Sequence, residues 1–363
     1  MFMLKRDVLM EDLKEVLDDD ELHMFYLLLK DVEIQVRVNS ETGETIKTNI
    51  GSPQGDCASA ILFTFYLAKS LIEDREVDER EHNYAIARET SRENLPSHLI
   101  DHSYSLPNTS NHLEIDQQYA DDLAWATTNQ GRIEKLKNTI PTKLKNRNLT
   151  SNEEKTEEYT IRRGGSVLWR KCKHLGSLLG TEEDIQRRKG LTIDTFNRFK
   201  HVLQSRRTNI ETKKRIFNAY ICSIFLYNSE LWTLTAKLEH KIDVFQRALL
   251  RCMLNVTKLD KITNQDLHEK THSEPWSRTI KRRRLNWLGH LMRLPEDTPA
   301  RQALAEFDRR TKRPVGRPKP TWLAQTRKEI YAIDASLKID EYLMTQTDDR
   351  KAWKQWVARA MAI

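Results

Sequence analysis

Two neighbouring carboxylates, in Tyr119-Ala-Asp-Asp122, are the residues of this sequence best suited to chemistry. Hard divalent cations take oxygen ligands fixed on a rigid turn, and a pair of metals so held drives in-line phosphoryl transfer. Asp is also a common turn residue, so the pair alone equally suits a solvated hairpin tip. A second motif, His268-Glu-Lys-Thr-His272, has the H-E-x-x-H spacing. On a helix that spacing sets two imidazoles one turn apart for zinc, with Glu269 as general base. The motif lies in a helical tract beside the basic run Lys281-Arg-Arg-Arg284, and we read it as a chance match on a surface helix. Cys57, Cys172, Cys222 and Cys252 lie far apart without a CxxC pair, which suits reduced thiols rather than a disulfide framework.

The carboxylates need elements to hold them. Leu113, Ile115, Tyr119, Leu123 and Trp125 flank Asp121-Asp122 at alternate positions, which predicts a hairpin with the acids at its turn. Upstream, apolar residues at helical spacing over 7–30, broken by the acidic stretch 18–21, predict two helices with an acidic joint. Alternation over 32–38 and again over 45–50, with a turn around Gly43, predicts another hairpin. Gly51-Ser-Pro-Gln-Gly-Asp56 breaks that pattern, and 57–72 resumes as an apolar helix buried on most sides. The polar stretch 73–111 is read as a surface insertion, followed past the carboxylates by a helix over 132–146 and a strand over 158–161. Beyond Leu179 the chain is helical until Pro314, Pro318 and Pro320 interrupt it.

With 363 residues, 31% of them charged, and eight Trp, the chain is polar yet has enough aromatic surface to fold around a core. Its mean hydropathy is −0.69. The longest apolar stretch, 57–68, is too short to span a bilayer, and the N-terminus carries no cleavage site of a signal peptide. These features predict a soluble, intracellular protein that is not secreted and has no membrane partner. The charge is uneven: residues 271–330 hold 15 Lys/Arg against 6 Asp/Glu, while the whole chain carries +7. A polyanion is therefore expected to dock there, with phosphate contacts from Lys281, Arg282, Arg283, Arg284, Arg317 and Lys319 and base stacking on Trp276, Trp287 and Trp322. The alternative is a helical bundle with those Trp in its core. Lys281–Arg284 also suits a nuclear-import patch.

The order of the motifs carries more than any one of them. Gly51-Ser-Pro-Gln-Gly-Asp56, Tyr119-Ala-Asp-Asp122, Leu149-Thr-Ser-Asn152-Glu-Glu-Lys155-Thr-Glu157 and Lys173-His-Leu175-Gly176 follow one another as reverse-transcriptase motifs B, C, D and E do. Tyr227-Asn-Ser-Glu-Leu-Trp, Arg284-Leu-Asn-Trp-Leu-Gly-His290 and Gly316-Arg-Pro-Lys-Pro-Thr-Trp322 resemble the C-terminal region of LINE-type endonuclease-reverse transcriptases. From about Arg6 onward, then, the chain resembles the C-terminal part of a non-LTR retrotransposon reverse transcriptase.

That resemblance implies an α+β fold. It consists of a partial polymerase palm with a three- or four-stranded antiparallel sheet over 1–180, a helical thumb-like region over 181–262 and a basic helical nucleic-acid-binding region over 263–363. It makes Asp121 and Asp122 catalytic ligands of Mg²⁺, with Lys155 a cation or proton donor near the leaving pyrophosphate. Gly51, Pro53, Gln54 and Gly55 become the loop that approaches nucleotide and template, Tyr119 and Ala120 the nucleotide floor, and Leu175 and Gly176 the primer grip. The partners implied are an RNA template and a DNA primer, and the compartment the nucleus. In the family another essential aspartate stands on a strand preceding a segment like Arg6–Leu13, a strand expected here before Met1. The resemblance thus implies a truncated polymerase, without fingers, negligibly active alone, that self-associates through an exposed palm edge. The rival reading is a non-catalytic RNA- or DNA-binding remnant.

Overall fold

An acidic joint starts the second helix of the chain. Asp18 accepts from the Glu21 backbone N–H at 2.8 Å while the Glu21 carboxylate reaches back to the Asp18 N–H, a reciprocal cap. It separates α1 (Arg6–Leu13) from α2 (Asp19–Leu29), the two helices that the spacing predicts. The computed structural model describes residues 2–30, 32–39, 41–48, 50–52, 57–72, 114–119, 122–127, 129–162, 165–295, 298, 300–301, 303–304, 321–333 and 349–361. They form two compact units, Met1–Thr156 and Glu157–Ile363, which divide the chain at 156/157.

In the first unit β1 (Phe2–Lys5) leads into α1 and pairs antiparallel with β4 (Ile50–Ser52). The sequence of β1, Phe-Met-Leu-Lys, holds no acid. Hairpin β2–β3 (Val32–Val38 and Glu41–Thr48) turns at Asn39, which takes the left-handed φ of 52° that Asn tolerates. Gly43 is not the turn. It lies where the register shifts between Gln35↔Thr45 and Arg37↔Thr42, a bulge that a residue without Cβ relieves. Ile34, Val36, Val38 and Ile46 of this hairpin are exposed. Helix α3 (Cys57–Ile72) buries Leu62, Phe63, Tyr66 and Leu67 against Leu4, Leu9 and Leu13, and exposes Ile61. Hairpin β5–β6 (Glu114–Tyr119 and Asp122–Thr127) and α4 (Gln130–Asn146) complete the unit.

Arg6 joins three of these pieces. Its guanidinium donates to the carbonyls of Gly51 (2.9 Å), Leu29 (2.7 Å) and Thr48 (2.6 Å), so the ends of α2, β3 and β4 converge on one buried side chain. Burial lowers its pKa from the ordinary arginine value. Replacing Arg6 with Met keeps the length and leaves three carbonyls without that donor, a loss we expect to cost about 3 kcal/mol or more. Hydrogen exchange should quicken in α1, α2 and β4 together. Unchanged exchange there would refute the joint role.

The second unit begins with a two-stranded hairpin, β7–β8 (Lys173–His174 and Ser177–Leu178), and is otherwise helical. Its helices are α5 (Thr181–Leu203), α6 (Ile210–Ile216), which runs through a π-helical Phe217–Cys222 into α7 (Ser223–Phe225), and α8 (Ala236–Leu254). Then come α9 (Asn264–Thr271), α10 (Trp276–Arg293), α11 (Trp322–Ile333) and α12 (Arg350–Ala360). One core runs from Ile185 through Phe217, Phe225, Ile242 and Leu267 to Trp276 and Ile280. A second joins Leu285 and Leu288 to Ile330, Trp353 and Val357.

Mixed helix and antiparallel strand, an α+β fold, is what the sequence predicts and what the structure has. Three expectations are corrected. Among the described residues the strands pair two by two, not as a sheet of three or four, because each finds its partner in a local hairpin or, for β1, in β4. Residues 158–161 form no strand: Tyr159 and Ile161 are exposed, and among the described residues no strand pairs with them. Trp276, expected as a base-stacking platform, is buried in the core, stacked on Phe225 with ring centroids 4.2 Å apart. Among the described residues no helix is long and apolar enough to cross a membrane.

Candidate functional site

Hairpin β5–β6 closes with Tyr119 paired to Asp122, so two residues separate the strand ends. The shortest hairpins put the residues beside their turn at fixed positions, which is the service a pair of acids needs. Asp122 is exposed there, as is Tyr119 at 67%. Ala120 and Asp121 lie outside the described residues. Leu123, one residue into β6, packs against the first unit's core and anchors the hairpin.

Lys155 belongs to the same unit and is exposed. Buried Leu149 fixes the chain ahead of it. The Asn152 side chain caps the short 3₁₀ turn Glu153–Lys155 by accepting from the Lys155 N–H at 3.1 Å. Gly51 is buried in β4 with φ 84°, in the left-handed region, and gives its carbonyl to Arg6. Pro53, Gln54 and Gly55 lie outside the described residues. Asp12, on the helix after β1, pairs with Arg147 in the interior, and Tyr66 donates to the Arg147 carbonyl at 2.7 Å. Its carboxylate is thereby committed to structure.

Leu175 and Gly176 sit in the second unit. They form the two-residue turn of β7–β8, both at positive φ, 45° and 79°. Glycine takes such a φ freely and leucine does not, so the turn must be held from outside. Tyr227 donates to the Leu175 carbonyl at 3.1 Å, Arg187 and Arg188 donate to the Gly176 carbonyl, and Asn228 donates to Ser177 Oγ at 3.1 Å. Behind Arg188 stands Asp184, fully buried, whose two oxygens accept from the Leu178 N–H and from Trp232 Nε1, each at 3.0 Å. Tyr227, Asn228 and Trp232 belong to a tract that stands out in sequence, but their hold on this hairpin runs to partners 48 to 52 positions away, which spacing along the chain does not reveal.

The basic run on α10 is engaged inside the second unit. Lys281 pairs with Glu239 at 3.4 Å, Arg282 forks onto Glu274, and Arg283 donates to the Leu226 carbonyl. Arg284 is 0% exposed, bound to Glu329 and to the Trp232 carbonyl. It sits in the core rather than on the surface, since α10 turns that face toward α11. Trp322 is likewise fastened, Nε1 donating to the Glu230 carbonyl at 2.7 Å. Arg317 and Lys319 lie outside the described residues.

The H-E-x-x-H stretch does not form a helical pair of imidazoles. Helix α9 ends at Thr271, and His272 takes the left-handed φ of its C-cap, 45°, with its Nε2 3.8 Å from Glu211. His268 Nδ1 meets Ser273 Oγ at 3.1 Å, and Nε2 is buried without a partner. Burial, reinforced by Arg247, lowers its pKa below the ordinary imidazole value. A base so shifted contributes its full stability above the unfolded pKa, near 6.5. That contribution is lost as pH falls through this value, because the unfolded chain takes the proton first. The urea midpoint of the second unit is expected to drop between pH 7.5 and 5.5, and His268→Gln to flatten the drop. An unaltered slope in the variant would exclude His268 as its source.

The resemblance implies Mg²⁺ on the acids of β5–β6. The described residues put one carboxylate, Asp122, beside that turn, and among them no three His, Cys, Asp or Glu side chains gather as a metal site. Asp121, the other acid of that turn, lies outside the described residues. No protein-family model and no solved structure matches this chain. Over 181 residues the chain is 26% identical to a transposon-derived protein of Caenorhabditis elegans, a match covering 48% of this chain and 64% of that protein, so it spans less than two thirds of the relative's length.

Proposed function

We propose that this chain is part of the RNA-directed DNA polymerase of a non-LTR retrotransposon, holding a template–primer but extending it negligibly by itself. The observation that carries the reading is hairpin β5–β6, whose register, Tyr119↔Asp122, sets the Tyr-Ala-Asp-Asp sequence at a two-residue connection. Similarity to a transposon-derived protein supports the origin. In this reading the first unit is palm-like and α5 to α8 are thumb-like. Asp121 and Asp122 are the metal-ligating acids, and Lys155 faces the departing pyrophosphate. Pro53, Gln54 and Gly55 line the nucleotide, and Leu175 and Gly176 steady the primer end. The magnesium ions would stabilise charge developing on the transferred phosphoryl group.

We expect weak extension because the family's further aspartate stands on a strand ahead of a segment like Arg6–Leu13, and β1, Phe-Met-Leu-Lys, supplies no acid. Two metals short of a ligand do not hold the nucleophile and the phosphorus in line. The exposed Ile34, Val36, Val38 and Ile46 on β2–β3 support association of chains through that hairpin, and nuclear action belongs to the same reading.

The test is primer extension on poly-rA/oligo-dT with Mg²⁺, alongside binding of the same duplex across a salt series. Binding that weakens with salt is expected, with extension no greater than that of an Asp121→Ala, Asp122→Ala double variant. Extension that the double substitution abolishes would show that another acid completes the site and would overturn the inactive state. Failure to bind at low salt would overturn the polymerase reading itself.

A further inference from the structure

The α5–α6 turn is strongly basic. Residues 198–215 hold seven Lys/Arg against one acid, Glu211. Among the described residues, none of Arg206, Arg207, Lys213 and Lys214 forms an ion pair, whereas each of Lys281, Arg282 and Arg284 has its carboxylate. Cations are thus spent on structure in α10 and left available here.

Two of them, Arg206 and Lys213, line a cavity of about 280 Å³ together with Thr208, Ile210, Leu254 and Asn255. Lys213 is 6% exposed and donates to the Met253 carbonyl at 3.2 Å, which occupies one of its three N–H donors. Holding an ammonium there costs solvation that a single carbonyl replaces in part, and burial accordingly lowers its pKa. Three of the last four carbonyls of α8, which would otherwise repel an anion, accept hydrogen bonds. Lys213 binds that of Met253, Gln204 and the Asn255 N–H bind that of Cys252, and the Val256 N–H binds that of Arg251. Asn255 also donates its amide to the Gln204 carbonyl at 2.6 Å, which fixes the rim.

We propose that this cavity is a phosphate-binding site. A phosphate group carries the charge and the several acceptor oxygens that a buried ammonium, an exposed guanidinium and the Thr208 hydroxyl together satisfy. The volume lies just below that of pockets for whole small molecules, so it takes one phosphate with its sugar or base outside. Ile210 and Leu254 supply the apolar part of the lining. The phosphate is either a backbone group of a nucleic acid or the terminal group of a free phosphorylated metabolite. The cavity supports the site independently of the polymerase reading.

The test uses the full chain with two probes, inorganic phosphate and a single-stranded oligouridylate, each titrated at constant ionic strength against chloride. Phosphate is expected to raise the melting temperature, and Arg206→Gln to weaken phosphate affinity about tenfold. Lys213→Met should weaken it further. Should that buried substitution prevent folding, as checked by circular dichroism, the exposed Arg206 variant decides. Parallel weakening of oligouridylate binding identifies nucleic acid as the source. Weakened phosphate binding with unchanged oligouridylate binding identifies a small phosphorylated ligand. Phosphate that protects no better than chloride, or protects Arg206→Gln as well as the parent, overturns the site, whatever the duplex-binding experiment returns.

Discussion

Replacing Arg284 with Leu is expected to destabilise the second unit by about 3–5 kcal/mol, the cost of removing one partner from a buried ion pair. The substitution strands the Glu329 carboxylate between α10 and α11 and leaves the Trp232 carbonyl without its donor. Burial already raises the Glu329 pKa above the ordinary carboxylate range, even beside Arg284. An acid so shifted contributes stability that is complete below the unfolded pKa and lost as pH rises through the folded one. Without the guanidinium that loss grows, so the gap between variant and parent should widen from acid toward neutral pH. Urea unfolding followed by Trp fluorescence at several pH values measures both effects. The same protein addresses the charge run as a nucleic-acid contact. At temperatures where the variant is folded, RNA binding should keep its salt slope, because a cation with no solvent exposure meets no phosphate. A slope that falls by about one unit with stability intact would return Arg284 to the surface.

The second large effect is expected at Asp184. Its carboxylate is the acceptor for the Leu178 N–H and Trp232 Nε1 and stands 3.7 Å from Arg188. Asp184→Ala takes the carboxylate from all three partners at once. It leaves Arg188 buried beside the Leu175–Gly176 turn without its carboxylate, and the expected cost is about 3–5 kcal/mol. The turn should loosen with it, since Leu175 at φ 45° is held only by its surroundings. Faster amide exchange at 173–178 together with an altered Trp232 emission would report this. Asp184→Asn keeps one acceptor and should fall between parent and alanine. A loss below about 1 kcal/mol in the alanine variant would mean that water replaces the carboxylate and that the hairpin is held from elsewhere.

Much of the fold was legible in the sequence where the signal is local. The acidic joint at 18–21, the apolar helix 57–72 and the alternation around Asp121-Asp122 each appear as elements at or close to their expected positions. Helix spacing and strand alternation depend on nearest neighbours along the chain and survive any tertiary arrangement. The turn of β2–β3 misled because Gly43 and Asn39 both tolerate unusual backbone, and the pairing of Val38 with Glu41 decides which residue turns and which bulges. Tyr159 and Ile161 alternate as a strand does, but among the described residues no strand pairs with them.

Charge was the least legible property. By composition alone, residues 271–330 are the basic part of the chain, and a 60-residue window hides the seven cations packed into 198–215. A shorter window finds them. No window could tell that Lys281, Arg282 and Arg284 are neutralised by Glu239, Glu274 and Glu329, which come from three different parts of the chain. What the sequence by itself determined here is the order of elements and a tight hairpin that carries Asp122 beside its turn, because both follow from spacing along the chain. The tertiary structure alone decided which cations face solvent, which Trp are core and which carboxylates are structural. Burial and ion pairing are properties of distance in space, and the partners lie tens of residues apart.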